Sequence, residues 1–246
     1  MEITEHIKSL EHEGRLLAAS CAASGTEAPV PTCPGWQVRD LLRHTGAVHR
    51  WAAGFVVERR TAPRSIGDGS DLDGAELIDW FRDGHTALVA ALSEAPAELE
   101  CFTFMPAPSP LAFWARRQAH ETAVHRMDAE AAAGARFSPL GTDFAVDGID
   151  ELLRLFHARL KSRVRTDTPK TLRVRATDAD ADAVWTVRLS SEPAQAVYGE
   201  EGPADCELSG PAEHLYTALW NRLPLSEATV TGDTALAQLW QENSGV

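Results

Sequence analysis

The sequence predicts an α plus α+β protein, with a bundle of helices over residues 1–165 and a small α+β domain over residues 166–246. Two observations support this fold class. Up to residue 165, apolar residues recur at spacings of three and four, as they do along amphipathic helices. After the segment TDTPK, apolar and polar residues alternate, as they do in half-buried strands. The predicted domain boundary lies where this period changes.

The first two predicted helices flank a break in the chain. The first spans Ile3–Ala23 and carries its apolar residues on one stripe. The segment PTCPGW then interrupts the helical pattern with two prolines and a glycine. The second helix runs from Gln37 through VRDLLRHTGAVHRWAAGFVVERR, and its apolar face indicates packing within a bundle.

Residue preferences at helix ends define the next two helices. Asp73 followed by Glu76 resembles a capping box, so the third helix is predicted to begin there. Ser109 and Pro110 suit the cap and the first position of a fourth helix. Gly134 suits the position just after its last turn.

A fifth helix is predicted over Asp143–Arg163, where Ile149, Leu152 and Phe156 recur at helical spacing. It follows the fourth helix after a short connection. The first part of the chain is therefore expected to be a bundle of four long helices with one additional helix.

The second part carries three predicted strands and two predicted helices. The strands are LRVRA, VWTVRLS and DCELSG, and an acidic, turn-prone loop joins the first two. A helix begins after Pro211 in PAEHLYTALWNRL. VTGD is expected to form a turn before a short final helix, ALAQLWQEN. A domain of this size lies near the lower limit for independent stability.

The charge balance excludes two classes of partner. The chain has 23 lysines and arginines against 36 aspartates and glutamates, a net charge of −13. A surface this acidic repels phosphate backbones and anionic lipids, so we expect neither nucleic-acid nor membrane binding. No apolar stretch approaches the roughly 20 residues that span a bilayer.

The cysteines and the N-terminus indicate the compartment. The four cysteines are scattered without a CxxC pair, which is typical of a reduced cytoplasmic protein. The first twenty residues carry charges throughout and lack the apolar core of a signal peptide. No long exposed apolar face stands out, so we expect a cytoplasmic monomer.

The fourth predicted helix contains a pair of candidate metal ligands. His120 and His125 are five residues apart, which differs from the HExxH spacing and places them on different faces. Glu121 and His125, at i and i+4, share a face and can both reach one ion. A pair at this spacing is more often a solvated helix face, so spacing alone leaves both interpretations open.

A useful metal site needs a third ligand, and the second helix offers two histidines. His44 follows Leu41 and Leu42 in the stripe expected to face the bundle interior. His49 lies roughly 140° away on an ideal helix. His44 is therefore the better candidate. A His/Glu/His set with open positions is the arrangement of catalytic zinc rather than structural zinc.

Several segments together resemble a known family. The segments PTCPGWQVRDLLRHTGAVHRW, ARRQAHETAVHRMDAE, ALWNRLP and VTGDTALAQLW resemble, in this order, the mycothiol-dependent maleylpyruvate isomerase family. The resemblance implies a DinB-like four-helix bundle that binds a divalent metal, usually zinc, through His44, Glu121 and His125. It also implies a small C-terminal α+β domain, whose pattern of strands and helices is similar to a sterol-carrier-like module.

The resemblance further implies an activity. In this family the metal activates mycothiol, a low-molecular-weight thiol, for attack on a small-molecule electrophile. Either maleylpyruvate isomerisation or thiol S-transfer would follow. Arg222 matches the position of the family's catalytic arginine, although it could instead cap the last turn of its helix. The alternative function is a non-catalytic carrier or regulatory protein that retains the bundle and the metal site.

Overall fold

The computed structural model describes residues 1–179 and 183–245. The chain forms two compact units, Met1–Ser138 and Pro139–Val246. This division lies before the boundary expected after residue 165. The difference arises because the fifth helix packs against a helix of the second unit, whereas its periodicity resembles that of the bundle. The final part of the acidic loop, 180–182, lies outside the described residues.

The first unit is built on four long helices in the described chain: α1 (Ile3–Ser24), α2 (Val38–Glu58), α3 (Gly74–Glu94) and α4 (Pro110–Ala132). Helix α1 packs mainly on α4, and α2 packs mainly on α3. Apolar side chains from all four helices fill the space between them, including Leu17, Leu41, Leu77, Phe81 and Ala129. This matches the predicted order of the long helices.

Asp73 and Ser109 precede α3 and α4 as predicted, but the described contacts of Asp73 do not form the expected capping box with Glu76. The Asp73 side chain accepts a hydrogen bond from Gly74 N at 2.8 Å. Ser109 Oγ accepts from Ala112 N at 3.1 Å, and Pro110 occupies the first helical turn. Gly134 follows the end of α4 with a φ of 64°, a left-handed conformation that glycine adopts without steric cost.

A buried ionic cluster ties α1 to α4. Arg126 Nε donates to Glu13 Oε2 at 2.7 Å, and Arg126 Nη1 donates to Glu130 Oε2 at 2.6 Å. All three side chains are buried. Ser138 adds hydrogen bonds from its backbone N and its hydroxyl to Glu130. The cluster places full charges within a helical core, where each depends on its partner.

Helix α5 (Thr142–Glu151) is shorter than predicted. One π-helical turn, Leu152–Phe156, follows it, and the expected helix up to Arg163 is wrong beyond that turn. His157 ends the turn with its ring against Trp240, at 4.6 Å between centroids. The chain leaves the helix at this point, and the His157 ring is buried.

The second unit contains a sheet with the strand order β3-β2-β1-β4-β5 in the part of the chain that the structure describes. The strands are β1 (Lys170–Ala176), β2 (Val184–Leu189), β3 (Gln195–Tyr198), β4 (Cys206–Gly210) and β5 (Thr229–Gly232). Strands β1 and β4 are parallel and the other pairs are antiparallel. Val174 pairs with both Trp185 and Leu208 at the centre of the sheet.

Two helices, α6 (Ala212–Leu219) and α7 (Thr234–Asn243), accompany the sheet. The three predicted strands are present. The sequence did not predict the short edge strand β3, and it assigned a turn to the segment that forms β5. Each has four residues and little buried surface, so neither shows a strong alternating pattern.

The helical first part and the small second part with its sheet confirm the predicted fold class. Within the described residues, none of the helices combines the length and the apolar character needed to cross a membrane.

Candidate metal centre

Three of the predicted site residues meet between two helices of the first unit. His44 lies on α2, and Glu121 and His125 lie one turn apart on α4. Glu121 Oε1 is 3.4 Å from His44 Nε2 and 3.3 Å from His125 Nε2. One possible ligand atom of each residue lies within 4.8 Å of the other two.

The spacing of these atoms fits a zinc ion. Bonds of about 2.0–2.1 Å and tetrahedral angles place neighbouring zinc ligands about 3.3 Å apart. The two distances from Glu121 Oε1 match this edge length. Two imidazole nitrogens and one carboxylate oxygen also form a donor set of catalytic zinc, which keeps a further position open. The residues present therefore fit the divalent metal expected from the sequence.

Arg117 orients the carboxylate of Glu121. Its Nη2 donates to Glu121 Oε2 at 3.2 Å, which leaves Oε1 facing the two imidazoles. Burial alone would raise the pKa of Glu121, but hydrogen bonds with His125 and His44 bring it well below its usual value. The charge of Arg117 acts in the same direction. Glu121 is thus ionised, as a metal ligand must be.

A second carboxylate contacts His125 on its other nitrogen. Asp128 is completely buried, and its Oδ2 lies 2.8 Å from His125 Nδ1. Burial alone would lower the pKa of His125, but Asp128 and Glu121 together raise it to about 9. In the metal-free protein His125 is therefore an imidazolium at neutral pH, and binding of a metal at Nε2 must release a proton.

The loop between α1 and α2 reaches the same carboxylate. Thr32 donates its hydroxyl to Asp128 Oδ1 at 2.5 Å, and the Cys33 thiol lies 3.5 Å from Asp128 Oδ2. The ring of Trp36 stacks on that of His125 with centroids 6.4 Å apart. The PTCPGW segment, which interrupts the helical pattern, thus supplies part of the surroundings of the metal centre.

A cavity of about 360 Å³ opens beside His44. Its walls are Arg43, His44 and Ala47 of α2 and the loop 66–71. This volume lies within the range of small-molecule sites. A small substrate can therefore be accommodated next to one of the candidate ligands.

The structure separates two other histidines of these helices from the set. His49 is completely buried, with Nε2 2.9 Å from Thr122 Oγ1. Burial lowers the pKa of His49 well below its ordinary value, so its ring is neutral. His120 is also buried, with its ring 6.0 Å from that of His6. Of the two histidines considered on α2, His44 is the one beside Glu121.

Arg222 lies in the second unit, in the turn that follows α6. Its backbone N–H donates to Thr217 O at 2.9 Å, and its Nη1 donates to Trp220 O at 2.7 Å. Both hydrogen bonds cap carbonyls at the end of the helix. Capping is the alternative role of Arg222 that the sequence left open. The catalytic role of Arg222 stays a prediction.

Several residues that surround the candidate ligands were not predicted from the sequence. Arg117 lies four residues before Glu121, and Asp128 lies three residues after His125, so helical spacing could have indicated both. Thr32 contacts the site from a loop, for which a single sequence provides no spacing rule.

Two family models cover most of the chain. Residues 8–130 match the mycothiol maleylpyruvate isomerase N-terminal domain, and residues 143–239 match the MDMPI C-terminal domain. The chain therefore belongs to the mycothiol-dependent maleylpyruvate isomerase family, as its motifs indicated.

Solved structures share the fold. A crystal structure of the mycothiol-dependent maleylpyruvate isomerase has a TM-score of 0.67 at 14% sequence identity, covering 94% of this chain and 93% of that one. A histidine-to-alanine mutant of the mycothiol-dependent maleylpyruvate isomerase has a TM-score of 0.68 at 12% identity, with the same coverage. None of the curated protein sequences matches this chain.

Proposed function

We propose that this protein is a metal-dependent, mycothiol-using isomerase of the maleylpyruvate isomerase type. The observation that carries the proposal is the convergence of His44, Glu121 and His125 with ligand-atom distances of 3.3 and 3.4 Å. Membership of the family supports the thiol and the isomerase class. The electrophile is a small molecule, for which the cavity beside His44 has room.

The three residues would hold a divalent ion, with zinc as the best match to the donor set. Bound zinc would lower the pKa of a coordinated thiol and so make the nucleophilic thiolate available at neutral pH. Arg117 would bind Oε2 of Glu121 and leave Oε1 for the ion.

The thiol cosubstrate would add reversibly to the cis double bond of the substrate. Rotation about the resulting single bond and expulsion of the thiol would then give the trans isomer. We propose that Arg222 binds a carboxylate of the substrate, since a guanidinium can bind a carboxylate in a bidentate manner. Thiol S-transfer would share the first step, but the comparisons offer no support for it. Product analysis distinguishes the two reactions, because only transfer consumes the thiol.

We also propose that the protein is a cytoplasmic monomer without nucleic-acid or membrane partners. The cysteines Cys21, Cys33, Cys101 and Cys206 are free thiols, which fits a reducing compartment. The net charge of −13 opposes binding to polyanions.

The carrier alternative has less support. One face of the sheet carries ion pairs, with Arg173 and Arg175 both bound to Glu200, and Arg175 also bound to Glu207. A charged face of this kind does not suit an apolar ligand.

Elemental analysis of the purified protein tests the metal site. We expect about one zinc per chain in the wild type and little in His44→Ala or Glu121→Ala, since three ligands define a single site. His12→Ala is the matched control, because His12 is an exposed histidine on α1. It should retain the zinc of the wild type.

Mycothiol-dependent turnover of maleylpyruvate is then measured on the same proteins. Glu121→Ala should abolish it, and persistent turnover in that variant would contradict the role of Glu121. A wild type that holds no metal even after incubation with zinc would overturn the metal-dependent enzyme and favour the carrier.

A further inference from the structure

The contacts of Asp128 link a loop to one of the candidate ligands. Its Oδ2 lies 2.8 Å from His125 Nδ1, and its Oδ1 accepts the Thr32 hydroxyl at 2.5 Å. The carboxylate is completely buried. The loop before α2 contacts both oxygens, through the Thr32 hydroxyl at Oδ1 and the Cys33 thiol at 3.5 Å from Oδ2, while His125 of α4 contacts Oδ2 alone.

We propose that Asp128 is the positioning residue for His125 and that Thr32 holds Asp128 in its position. This inference rests on the metal site proposed above. Once metal binding has released the second proton, a histidine that donates from Nδ1 to a carboxylate has its lone pair on Nε2. In this structure Nε2 is the nitrogen 3.3 Å from Glu121 Oε1. The hydrogen bond that His125 donates to Asp128 therefore selects both the tautomer and the orientation that the proposed metal centre needs.

The Thr32 hydroxyl helps to hold Asp128 in the position that orients His125. This hydroxyl makes the shorter of the two contacts described between the loop and Asp128, the other being the Cys33 thiol at 3.5 Å from Oδ2. Loss of this hydrogen bond weakens the hold of the loop on the carboxylate. Thr32 lies 96 residues from Asp128 in sequence, so the loop contributes to the metal centre without providing a ligand. This gives the PTCPGW segment a role beyond interrupting the helices.

The zinc affinities of Asp128→Asn and Thr32→Val, measured by competition with a chelator, test the proposal. The asparagine amide can direct its oxygen to only one of its two neighbours. If its NH₂ faces His125, Nδ1 becomes an acceptor and the proton moves to Nε2, which blocks the ligand atom. We expect about 10- to 100-fold weaker zinc binding for Asp128→Asn.

Thr32→Val keeps the shape and loses one hydrogen bond, so we expect a smaller effect of roughly 2- to 10-fold. The matched control is Thr217→Val, since Thr217 is a buried threonine of the second unit whose hydroxyl donates to Glu213 O. It should leave zinc binding unchanged. Circular dichroism establishes that each variant is folded, and Thr32→Val decides the test if Asp128→Asn does not fold.

A nuclear magnetic resonance measurement on the metal-free protein separates this proposal from the proposed function. The hydrogen bond to Asp128 should give His125 a downfield, slowly exchanging Nδ1 proton, and Asp128→Asn should shift or remove it. If the wild type binds no zinc, the proposed function is overturned, but the NMR measurement still tests the hydrogen bond between His125 and Asp128. Absence of the resonance in the wild type, or wild-type zinc affinity in both variants, overturns the positioning role.

Discussion

The indole ring of Trp80 on α3 occupies the space where a side chain of residue Gly46 on α2 would lie. A Cβ built on Gly46 would be 2.2 Å from Trp80 Cζ3. The same ring carries the guanidinium of Arg50 at 3.8 Å from its centroid, and Arg50 Nη2 donates to Trp80 O at 2.6 Å. The close approach of α2 to α3 therefore depends on the absence of a side chain at Gly46.

Gly46→Ala should lower the free energy of unfolding by about 1–3 kcal/mol, because the ring or the helices must move to relieve the overlap. Urea unfolding measures the change. Gly54→Ala is the control on the same helix, since its Cβ would meet only Glu58 Oε1 at 3.8 Å. That change should stabilise the protein by about 0.5–1 kcal/mol, and equal losses in both variants would contradict the packing argument.

Arg126→Met should be more damaging. It would leave Glu13 and Glu130 buried without their cation, and removal of one partner from a buried ionic cluster costs about 3–5 kcal/mol. The exposed pair of Arg82 and Asp79 provides the control. Arg82→Met should cost less than about 1 kcal/mol in the same urea experiment. A small effect of Arg126→Met would mean that the cluster is dispensable.

His157 should make the protein less stable in acid. Burial lowers the pKa of His157 from its ordinary value of 6.5 to about 4. Above pH 6.5 the ring is neutral in both states and has no effect. As the pH falls from 6.5 towards 4, the unfolded state takes up the proton first, so the free energy of unfolding declines by up to about 3 kcal/mol.

The measurement is urea unfolding between pH 7 and 4 for the wild type and for His157→Phe, which cannot titrate. The variant should lose less stability over this range. Some decline should persist in both proteins, because burial also lowers the pKa values of His49 and His85. Parallel curves for the two proteins would show that His157 is not buried as a neutral ring.

Cys21 should be inert in the native protein. It is completely buried, and burial raises the pKa of its thiol to about 12. Iodoacetamide reacts with the thiolate, so at pH 8 we expect Cys21 to stay unlabelled until urea unfolds the chain. Peptide mass spectrometry reports the labelling of this site. Equal labelling with and without urea would be incompatible with the packing of α1.

Arg222→Met should lower kcat/KM for the proposed isomerisation by about 100-fold, because a guanidinium that binds a substrate carboxylate is lost. Zinc content should not change, since Arg222 is not among the three proposed ligands. Arg188→Met is the control, because Arg188 is an exposed arginine of the same unit paired with Glu201. Unchanged kinetics of Arg222→Met would support a capping role alone.

Sequence periodicity predicted α1, α2 and α3 well, because each has an apolar face. Helix α4 is buried on most sides and was located instead by its end signals, Ser109 and Pro110. Periodicity failed where long-range packing decides the structure. The helix expected up to Arg163 ends at Phe156, and the next residue, His157, contacts Trp240 across 83 residues of sequence, which no local pattern reveals.

The residues of the candidate site also fall into two groups: those that spacing along one helix predicts, and those that depend on contacts distant in sequence. Glu121 and His125 share one helix face, as their spacing predicted. The expectation that His44 faces the bundle interior was wrong, because His49 is the completely buried histidine of α2 and His44 is half-buried. His44 nevertheless lies 3.4 Å from Glu121 and stays the third candidate ligand. Arg117 was within reach of the same spacing rule. Thr32 was not, because its contact with Asp128 depends on the path of a loop.

The ionic cluster between α1 and α4 also bears on the order in which the protein folds during synthesis. Glu13 and Arg126 are separated by 113 residues, and a buried carboxylate without its cation is costly. At about 5–20 residues per second, translation takes roughly 6–23 s to cover that separation. The first helix therefore emerges from the ribosome well before the charge that lets it settle into the core, and it completes its packing only when the last helix of the bundle arrives.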